Sequence, residues 1–167
     1  GVLNAAGNDA QYLSEGKIVQ VPGKDLLLSG VPSPRFPTMR LEVLPNRDSL
    51  TYRELYGVPD VKSICRGTLR YEGWSNAMYG LKSLGLLKTE PTSHKTWKSF
   101  IHEVLKSNGV PNVHALLTKA GVRDVNAAVE AAQWLGIISA DGMSGSDETL
   151  LKDTAIDSLC KLMEDKL

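Results

Sequence analysis

The sequence predicts an α+β fold, in which short strands of a mixed sheet are followed by an all-helical segment. Three observations predict it. Apolar and polar residues alternate in parts of the first third, proline and glycine interrupt that third repeatedly, and from Gly73 onward apolar residues recur three and four positions apart. The change in pattern falls near Tyr71. We therefore expect two domains, residues 1–71 with strands and residues 72–167 with helices.

Two strands are predicted in the first domain. Lys17–Val21 is rich in β-forming residues and stops at a Pro-Gly pair, and apolar and charged residues alternate from Met39 to Val43. Two strands do not make a stable sheet alone in water. We therefore expect that they pair across a dimer, or that strands of a longer parent chain complete the sheet. Before them, apolar residues three and four apart predict a helix over residues 2–13, weakened by Gly7.

A loop and a short helix complete the first domain. The prolines and glycine of residues 30–37 predict a loop without regular helix. After a turn at Pro45, a short helix is predicted over residues 50–56, ended by Gly57. Its first residue stays open, because three residues could cap the first turn: Asp48, Ser49 and Thr51.

Five helices are predicted in the second domain. Each of the first four has a stripe of apolar residues at helical spacing and a glycine just beyond its end. They cover residues 74–84, 97–108, 113–120 and 125–135, and Asp124 caps the last of these. A final helix is predicted to begin near Ser146-Asp147 and to run towards Leu167.

The composition argues against several classes of partner. The chain has 167 residues, with 19 Lys and Arg against 19 Asp and Glu, so its formal net charge is zero. Nucleic-acid binding needs a clustered basic excess, which no window of this sequence shows. No apolar run approaches the roughly 18 to 20 residues of a membrane-spanning helix. We predict neither a nucleic acid nor a membrane as a partner.

The first residues and the cysteines bear on the origin of the chain. Residues 1–4, Gly-Val-Leu-Asn, contain no initiator Met and do not begin a secretory signal, so we expect the interior of a longer protein. Cys65 and Cys160 are far apart and make a poor disulfide framework for a secreted domain. We expect a reducing compartment, in the first place the cytoplasm.

No motif of a catalytic or cofactor site is found. The histidines and cysteines form neither a CxxC pair nor an HExxH helix, so no metal site is predicted at His94, His102, His114, Cys65 or Cys160. No G-x-S-x-G or Walker motif is present, and no G-x-G-x-x-G motif follows a predicted strand. A neighbouring cation could lower the pKa of the Cys65 thiol, but we interpret this cysteine as a packing residue. No catalytic or cofactor-binding residue is assigned.

Two polar clusters contain the most informative arginines. They are residues 46–49, Asn-Arg-Asp-Ser, and residues 66–71, Arg-Gly-Thr-Leu-Arg-Tyr. Guanidinium groups bind carboxylates through two parallel hydrogen bonds, so arginines presented from turns beside an amide and a hydroxyl suit a ligand with several carboxylates. The alternative is that they form surface ion pairs of small net value. Those pairs would be Arg47 with Asp48 or Asp60, Arg66 with Glu42 or Glu54, and Arg70 with Glu72.

Long ungapped motifs include the two clusters. They are residues 44–49, Leu-Pro-Asn-Arg-Asp-Ser, and residues 66–74, Arg-Gly-Thr-Leu-Arg-Tyr-Glu-Gly-Trp, with supporting stretches at 16–19, 21–26, 55–57, 84–87 and 131–136. By these motifs the chain resembles the saccharopine dehydrogenase family. The resemblance covers nearly the whole chain, and roughly the middle third of that family's catalytic unit.

The resemblance implies a pyridine-nucleotide-dependent oxidoreductase of lysine metabolism. Such an enzyme interconverts saccharopine with glutamate and aminoadipate semialdehyde through an imine. NAD or NADP would bind to a preceding Rossmann domain that is absent from this chain, and no metal is implied. Residues 1–71 would belong to a domain that binds saccharopine and forms a homodimer, and residues 72–167 to an inserted helical domain. The parent would lie in the cytosol, or in the mitochondrion if it is bifunctional.

The resemblance also implies a set of substrate-binding residues. Matched by motif, Asn46, Arg47, Arg66, Gly67 and Thr68 would face the three carboxylates of saccharopine. They would hold and orient the substrate without transferring protons, so the chain alone would be inactive. Two other interpretations stay open: a helical interaction module with purely structural arginines, and a degenerate homologue that keeps the fold without the chemistry.

Overall fold

The computed structural model describes residues 8–166 and has the predicted α+β fold. These residues form two compact units, the first ending at Ser75 and the second beginning at Asn76. Five strands, a 3₁₀ turn and a short helix lie in the first unit, and five helices account for the regular structure that follows. The predicted helix over residues 2–13 falls partly outside the described residues.

The first unit begins with a hairpin. Strands β1 (Ala10–Ser14) and β2 (Lys17–Val21) are antiparallel, and Ala10 pairs with Val21. Glu15 and Gly16 both have positive φ, 52° and 77°, which is the backbone that a two-residue hairpin turn requires. The predicted helix is therefore wrong for residues 10–13. The spacing is that of a helix, and cross-strand pairing with β2 outweighs this weak local preference.

A second sheet has three antiparallel strands. They are β3 (Val31–Pro32), β4 (Leu41–Pro45) and β5 (Gly67–Tyr71), in the order β3-β4-β5. Each predicted strand therefore has at least one neighbour among the described residues, β2 beside β1 and β4 between β3 and β5. All pairings among the described strands are antiparallel, whereas the sequence predicted a mixed sheet.

Strand β5 was predicted as a turn that presents arginines. Its charged and small residues hide the strand pattern, because only Leu69 and Tyr71 in it are large and apolar. Its pairing with β4 supplies the hydrogen bonds that stabilise it. The short helix α1 (Thr51–Leu55) follows β4, inside the predicted range.

Four of the five helices that follow β5 agree with the prediction. They are α2 (Trp74–Ser83), α3 (Trp97–Asn108), α4 (Val113–Ala120) and α5 (Val125–Trp134). The Asp124 carboxylate caps α5 by accepting from the Ala127 N–H at 3.0 Å, as predicted. Gly109 and Gly121 end α3 and α4 in the left-handed conformation that favours glycine.

The last helix begins later than predicted. Helix α6 (Ala155–Lys166) starts after Thr154, whose hydroxyl accepts from the Asp157 N–H at 3.1 Å, and not near Ser146-Asp147. The intervening backbone forms isolated bridges to other segments instead, among them Thr149 with Thr96. These tertiary hydrogen bonds compete with the helix that the local pattern favours.

Each unit has its own buried apolar cluster. In the first unit it includes Leu13, Leu27, Leu41 and Leu44. In the second, the fully buried side chains include Trp97, Ile101, Leu117, Ile137 and Leu159, which come from three helices and one loop. Apolar burial at these positions supplies the main driving force for each unit.

Candidate functional site

The pairing of β4 with β5 brings the two predicted clusters together. Asn46 follows directly after β4, and Arg66 comes directly before β5. The strands are antiparallel and Pro45 lies opposite Gly67, so Asn46 and Arg66 meet at one end of the β4–β5 pair. The Asn46 N–H donates to the Arg66 carbonyl at 2.9 Å. Residues twenty positions apart in sequence thus share one site.

The Ser49 side chain connects the two clusters by hydrogen bonds. Its side chain is fully buried, and its hydroxyl accepts from the Arg66 N–H at 3.0 Å. The hydroxyl also lies within hydrogen-bond distance of two carbonyls, of Asn46 at 3.1 Å and of Arg66 at 3.2 Å. The sequence indicates Ser49 only as a possible cap and a member of the first cluster, because its link to residue 66 exists only in the folded chain.

We expect Ser49→Ala to lower the free energy of unfolding by about 2 kcal/mol, since the Arg66 N–H then lacks its buried acceptor. Chemical denaturation measures the change. Ser63→Ala is the matched control, because Ser63 accepts from the Glu15 N–H at the same 3.0 Å but in an exposed setting where water can replace it. Equal losses in the two variants would contradict the prediction.

Asn46 is oriented by Thr68. The Thr68 hydroxyl donates to the Asn46 Oδ1 at 2.9 Å. This bond engages the carbonyl oxygen of the amide and leaves the NH₂ group on the other side. The Asn46 Nδ2 has no bonding partner within residues 8–166, and it is not among the buried unsatisfied atoms there. Its two N–H donors are therefore accessible to a ligand, and they suit a carboxylate.

Arg66 already has an acidic partner. Its Nη1 lies 2.5 Å from the Asp48 Oδ2, and its guanidinium lies over the Tyr52 ring, 5.6 Å from the ring centroid. Its side chain is nevertheless 51% exposed. An arginine has five N–H donors, so the contact with Asp48 leaves others for a ligand. Asp48 and Tyr52 hold the guanidinium in one orientation.

The ion pairs suggested by the sequence are not those observed among the described residues. Arg66 pairs with Asp48 instead of Glu42 or Glu54. Glu72 pairs with Arg40 at 2.7 Å. Arg70 lies over the Trp74 ring, 4.9 Å from its centroid. Charge and sequence distance alone did not identify these partners, because strand register decides which side chains meet.

Arg47 differs from the other arginines of the site. It is exposed, and within residues 8–166 it forms no ion pair and no side-chain hydrogen bond. An exposed guanidinium without a partner retains all its donors for a ligand. Among the five residues predicted to bind substrate, Arg47 is the most available.

Gly67 has a packing role in this structure. A Cβ at this position would lie 2.5 Å from the Val43 Cγ1 and 3.0 Å from the Leu44 carbonyl oxygen. The absence of a side chain therefore lets β5 approach β4 closely. Gly67 does not line the cavities described next.

Two adjoining cavities lie in the first unit. One, of about 320 Å³, is lined by Asn46, Arg47, Asp48, Arg66 and Thr68 together with residues 8–10, Leu26 and Pro45. The other, of about 490 Å³, lies beside the hairpin and includes Arg47 and Asp9. Volumes of this size are typical of small-molecule sites. Four of the five predicted residues thus line one cavity.

The remaining candidates do not form a reactive site in the described part of the chain. Burial raises the pKa of the Cys65 thiol, with a hydrogen bond to Ser49 acting in the opposite direction, so the thiol is less ready to ionise than an ordinary cysteine. Within residues 8–166 no group of three or more metal-ligating side chains is found. No helix in that same range is long and apolar enough to cross a membrane.

Fold and site together define an α+β chain whose first unit presents an arginine-lined cavity. The sequence pattern of the saccharopine dehydrogenase C-terminal domain family matches residues 1–167. The chain belongs to that family, which confirms the resemblance seen in its motifs.

Individual relatives agree with this assignment. The mitochondrial alpha-aminoadipic semialdehyde synthase of Mus musculus is 34% identical over 179 aligned positions, covering 100% of this chain and 18% of that protein. Saccharopine dehydrogenase [NADP(+), L-glutamate-forming] of Pyricularia oryzae is 29% identical over 177 positions, covering 100% of this chain and 38% of the relative.

A solved structure has the same fold. The apo saccharopine dehydrogenase (L-Glu forming) from Saccharomyces cerevisiae matches with a TM-score of 0.76 and 27% identity, covering 99% of this chain and 38% of that one. The chain therefore spans between 18% and 38% of the length of these three relatives.

Proposed function

We propose that this chain is the substrate-binding segment of a saccharopine dehydrogenase. The whole protein would be a pyridine-nucleotide-dependent oxidoreductase of lysine metabolism, interconverting saccharopine with glutamate and aminoadipate semialdehyde. NAD or NADP would bind to a Rossmann domain outside these 167 residues, and the names of the fungal relatives favour NADP for those proteins. The homodimer, and the assignment of residues 1–71 to substrate binding and 72–167 to a helical insertion, belong to the same proposal.

The observation that carries the proposal is the set of unused donors around one cavity. Arg47 has no partner among the described residues, Asn46 has a free amide N–H₂ group, and Arg66 is held in place by Asp48 with donors to spare. Saccharopine carries three carboxylates. A charge-assisted hydrogen bond to a carboxylate contributes about 1.5 to 3 kcal/mol, so these donors supply affinity and orientation.

The residues on this chain bind and orient the substrate. Arginine remains protonated at physiological pH, and the Asn46 amide does not ionise, so neither group moves a proton. The Thr68 hydroxyl keeps Asn46 in position and offers its remaining lone pairs to the ligand. The nucleotide supplies the hydride chemistry when it is bound, and this segment would hold saccharopine in the geometry for that step.

The test has two arms. Saccharopine is titrated into the 167-residue chain and followed by NMR, which detects weak binding, and we expect shifts at Arg47 and Asn46. In the second arm, the protein that joins this chain to its nucleotide-binding domain is assayed by the absorbance of the reduced nicotinamide. We expect turnover there, and none from the chain alone. Failure of the NMR arm would reject the substrate-binding role, and binding without turnover would favour a degenerate homologue.

The compartment is part of the proposal as well. The name of the mouse relative assigns that protein to mitochondria. We propose the cytoplasm for a separate biosynthetic enzyme and the mitochondrion for a bifunctional one. Fractionation of cells that express the protein would decide between the two.

A further inference from the structure

Asp9 faces the same cavities as Arg47. Both residues line the cavity beside the hairpin and the cavity beside the two clusters. Asp9 lies one position before β1, and the Asp9 Oδ1 accepts from the Gly23 backbone N–H at 2.6 Å. This bond connects the two ends of the hairpin and fixes the orientation of the carboxylate. No sequence motif pointed to Asp9.

The second carboxylate oxygen of Asp9 is uncommitted. Asp9 is exposed, and no hydrogen bond or ion pair to its Oδ2 is formed within residues 8–166. Arg47 is likewise unpaired there, and no ion pair joins it to Asp9. An anchored anion and a cation with all its donors therefore border the same space without neutralising each other.

Two opposite charges that share a cavity are complementary to a zwitterion. A ligand carrying carboxylates alone would gain from Arg47 and would be repelled by Asp9. A ligand carrying an ammonium beside its carboxylate would gain from both, through charge-assisted hydrogen bonds on each side. The pair therefore selects for an α-amino-acid group over a simple carboxylate.

We propose that Asp9 and Arg47 together bind a free α-amino-acid group, with the ammonium at Asp9 and the carboxylate at Arg47. The inference rests on the proposed function and makes it more specific. Saccharopine has one such free group, at the end that derives from lysine, whereas its other nitrogen is the secondary amine that reacts. Asp9 is thus a specificity-determining residue that sets which end of the substrate occupies this cavity, and it takes no part in the oxidation.

The test compares two ligands that differ in a single group. L-2-aminoadipate and adipate have the same carbon chain and the same two carboxylates, and only the first has an ammonium. Each is titrated into the 167-residue chain by NMR, in the wild type and in Asp9→Asn. The asparagine oxygen can still accept from the Gly23 N–H, so the variant removes the charge and keeps the structural bond.

We expect the wild type to bind aminoadipate about tenfold more tightly than adipate, and Asp9→Asn to lose that preference by weakening only aminoadipate. Asp60→Asn is the matched control: it makes the same change of charge at an exposed residue outside both cavities, and the preference should remain.

Three results would overturn the inference. One is an unchanged preference in Asp9→Asn, and another is an equal loss for both ligands, which would mean that Asp9 acts only through the hairpin. The third is an equal affinity of the wild type for adipate and aminoadipate. That result would contradict the role of Asp9 and would still be compatible with carboxylate binding at Arg47. Absence of binding by either ligand and by saccharopine would reject the proposed function itself, so the two failures are distinguishable.

Discussion

Arg47→Ala is expected to weaken saccharopine binding by about 10- to 100-fold, the loss that follows from removing a charge-assisted contact of about 1.5 to 3 kcal/mol. The effect is large because Arg47 forms no ion pair within residues 8–166, so its removal leaves no acidic partner unpaired. In the protein that carries the nucleotide-binding domain, KM for saccharopine should rise while nucleotide affinity stays nearly unchanged. Steady-state kinetics and a separate nucleotide titration measure the two effects.

Arg35→Ala provides the control for this substitution. Arg35 is also exposed, lies in the first unit and lines neither of the two cavities. The Arg35→Ala substitution also removes one positive charge from the surface, so a change in long-range electrostatics alone would affect saccharopine binding equally in both variants. A variant at Arg47 that lost nucleotide affinity and kept saccharopine affinity would contradict the assignment.

Gly145→Ala is expected to lower the free energy of unfolding by about 3 kcal/mol, at the upper end for inserting a methyl group into a packed site. A Cβ at Gly145 would lie 2.6 Å from the Trp97 carbonyl carbon and 2.7 Å from the Lys98 Cα. These are backbone atoms at the start of α3, and a neighbouring hydrogen bond from the Lys98 N–H to the Ser146 carbonyl, at 2.7 Å, resists their movement. The melting temperature should fall by roughly 6 to 12 °C.

The matched glycine substitution is Gly109→Ala. Gly109 has a φ of 63° and no atom near the position of its Cβ, so alanine there meets only the strain of the left-handed backbone, about 1 kcal/mol. Thermal unfolding of the two variants, with the wild type, separates steric clash from backbone strain. If Gly145→Ala were no more destabilising than Gly109→Ala, the segment around Gly145 would be able to move away from α3.

Helices were the part of the fold most accessible from the sequence. For α3 through α5, the apolar stripe and the terminal glycine, together with the Asp124 cap of α5, predict boundaries that the structure reproduces to within one residue. These determinants are local, because a cap bonds to a backbone group three positions away. The start of α6 was missed because the competing partners of residues 145–154 lie elsewhere in the second unit.

Strands and the partners within the site were less accessible. Strand β5 exists because β4 is beside it, and its own residues favour a turn about as well. The bond from Arg66 to Ser49 and its ion pair with Asp48 follow from that strand pairing. The candidate residues could be chosen from their chemistry and from family motifs. Which arginine forms an ion pair among the described residues, and which does not, could not be predicted in this way.

The sequence by itself determined the fold class, the helices of the second unit, the family and the residue types suited to carboxylates. Those properties depend on composition, on periodicity and on motifs that are contiguous in the chain. Only the tertiary structure decided that Arg47 has no ion-pair partner in the described part of the chain, that Arg66 is held by Asp48, and that Asp9 borders the same cavities as Arg47. The physical reason is that electrostatic contacts depend on distances of a few ångströms between side chains, and strand register sets those distances.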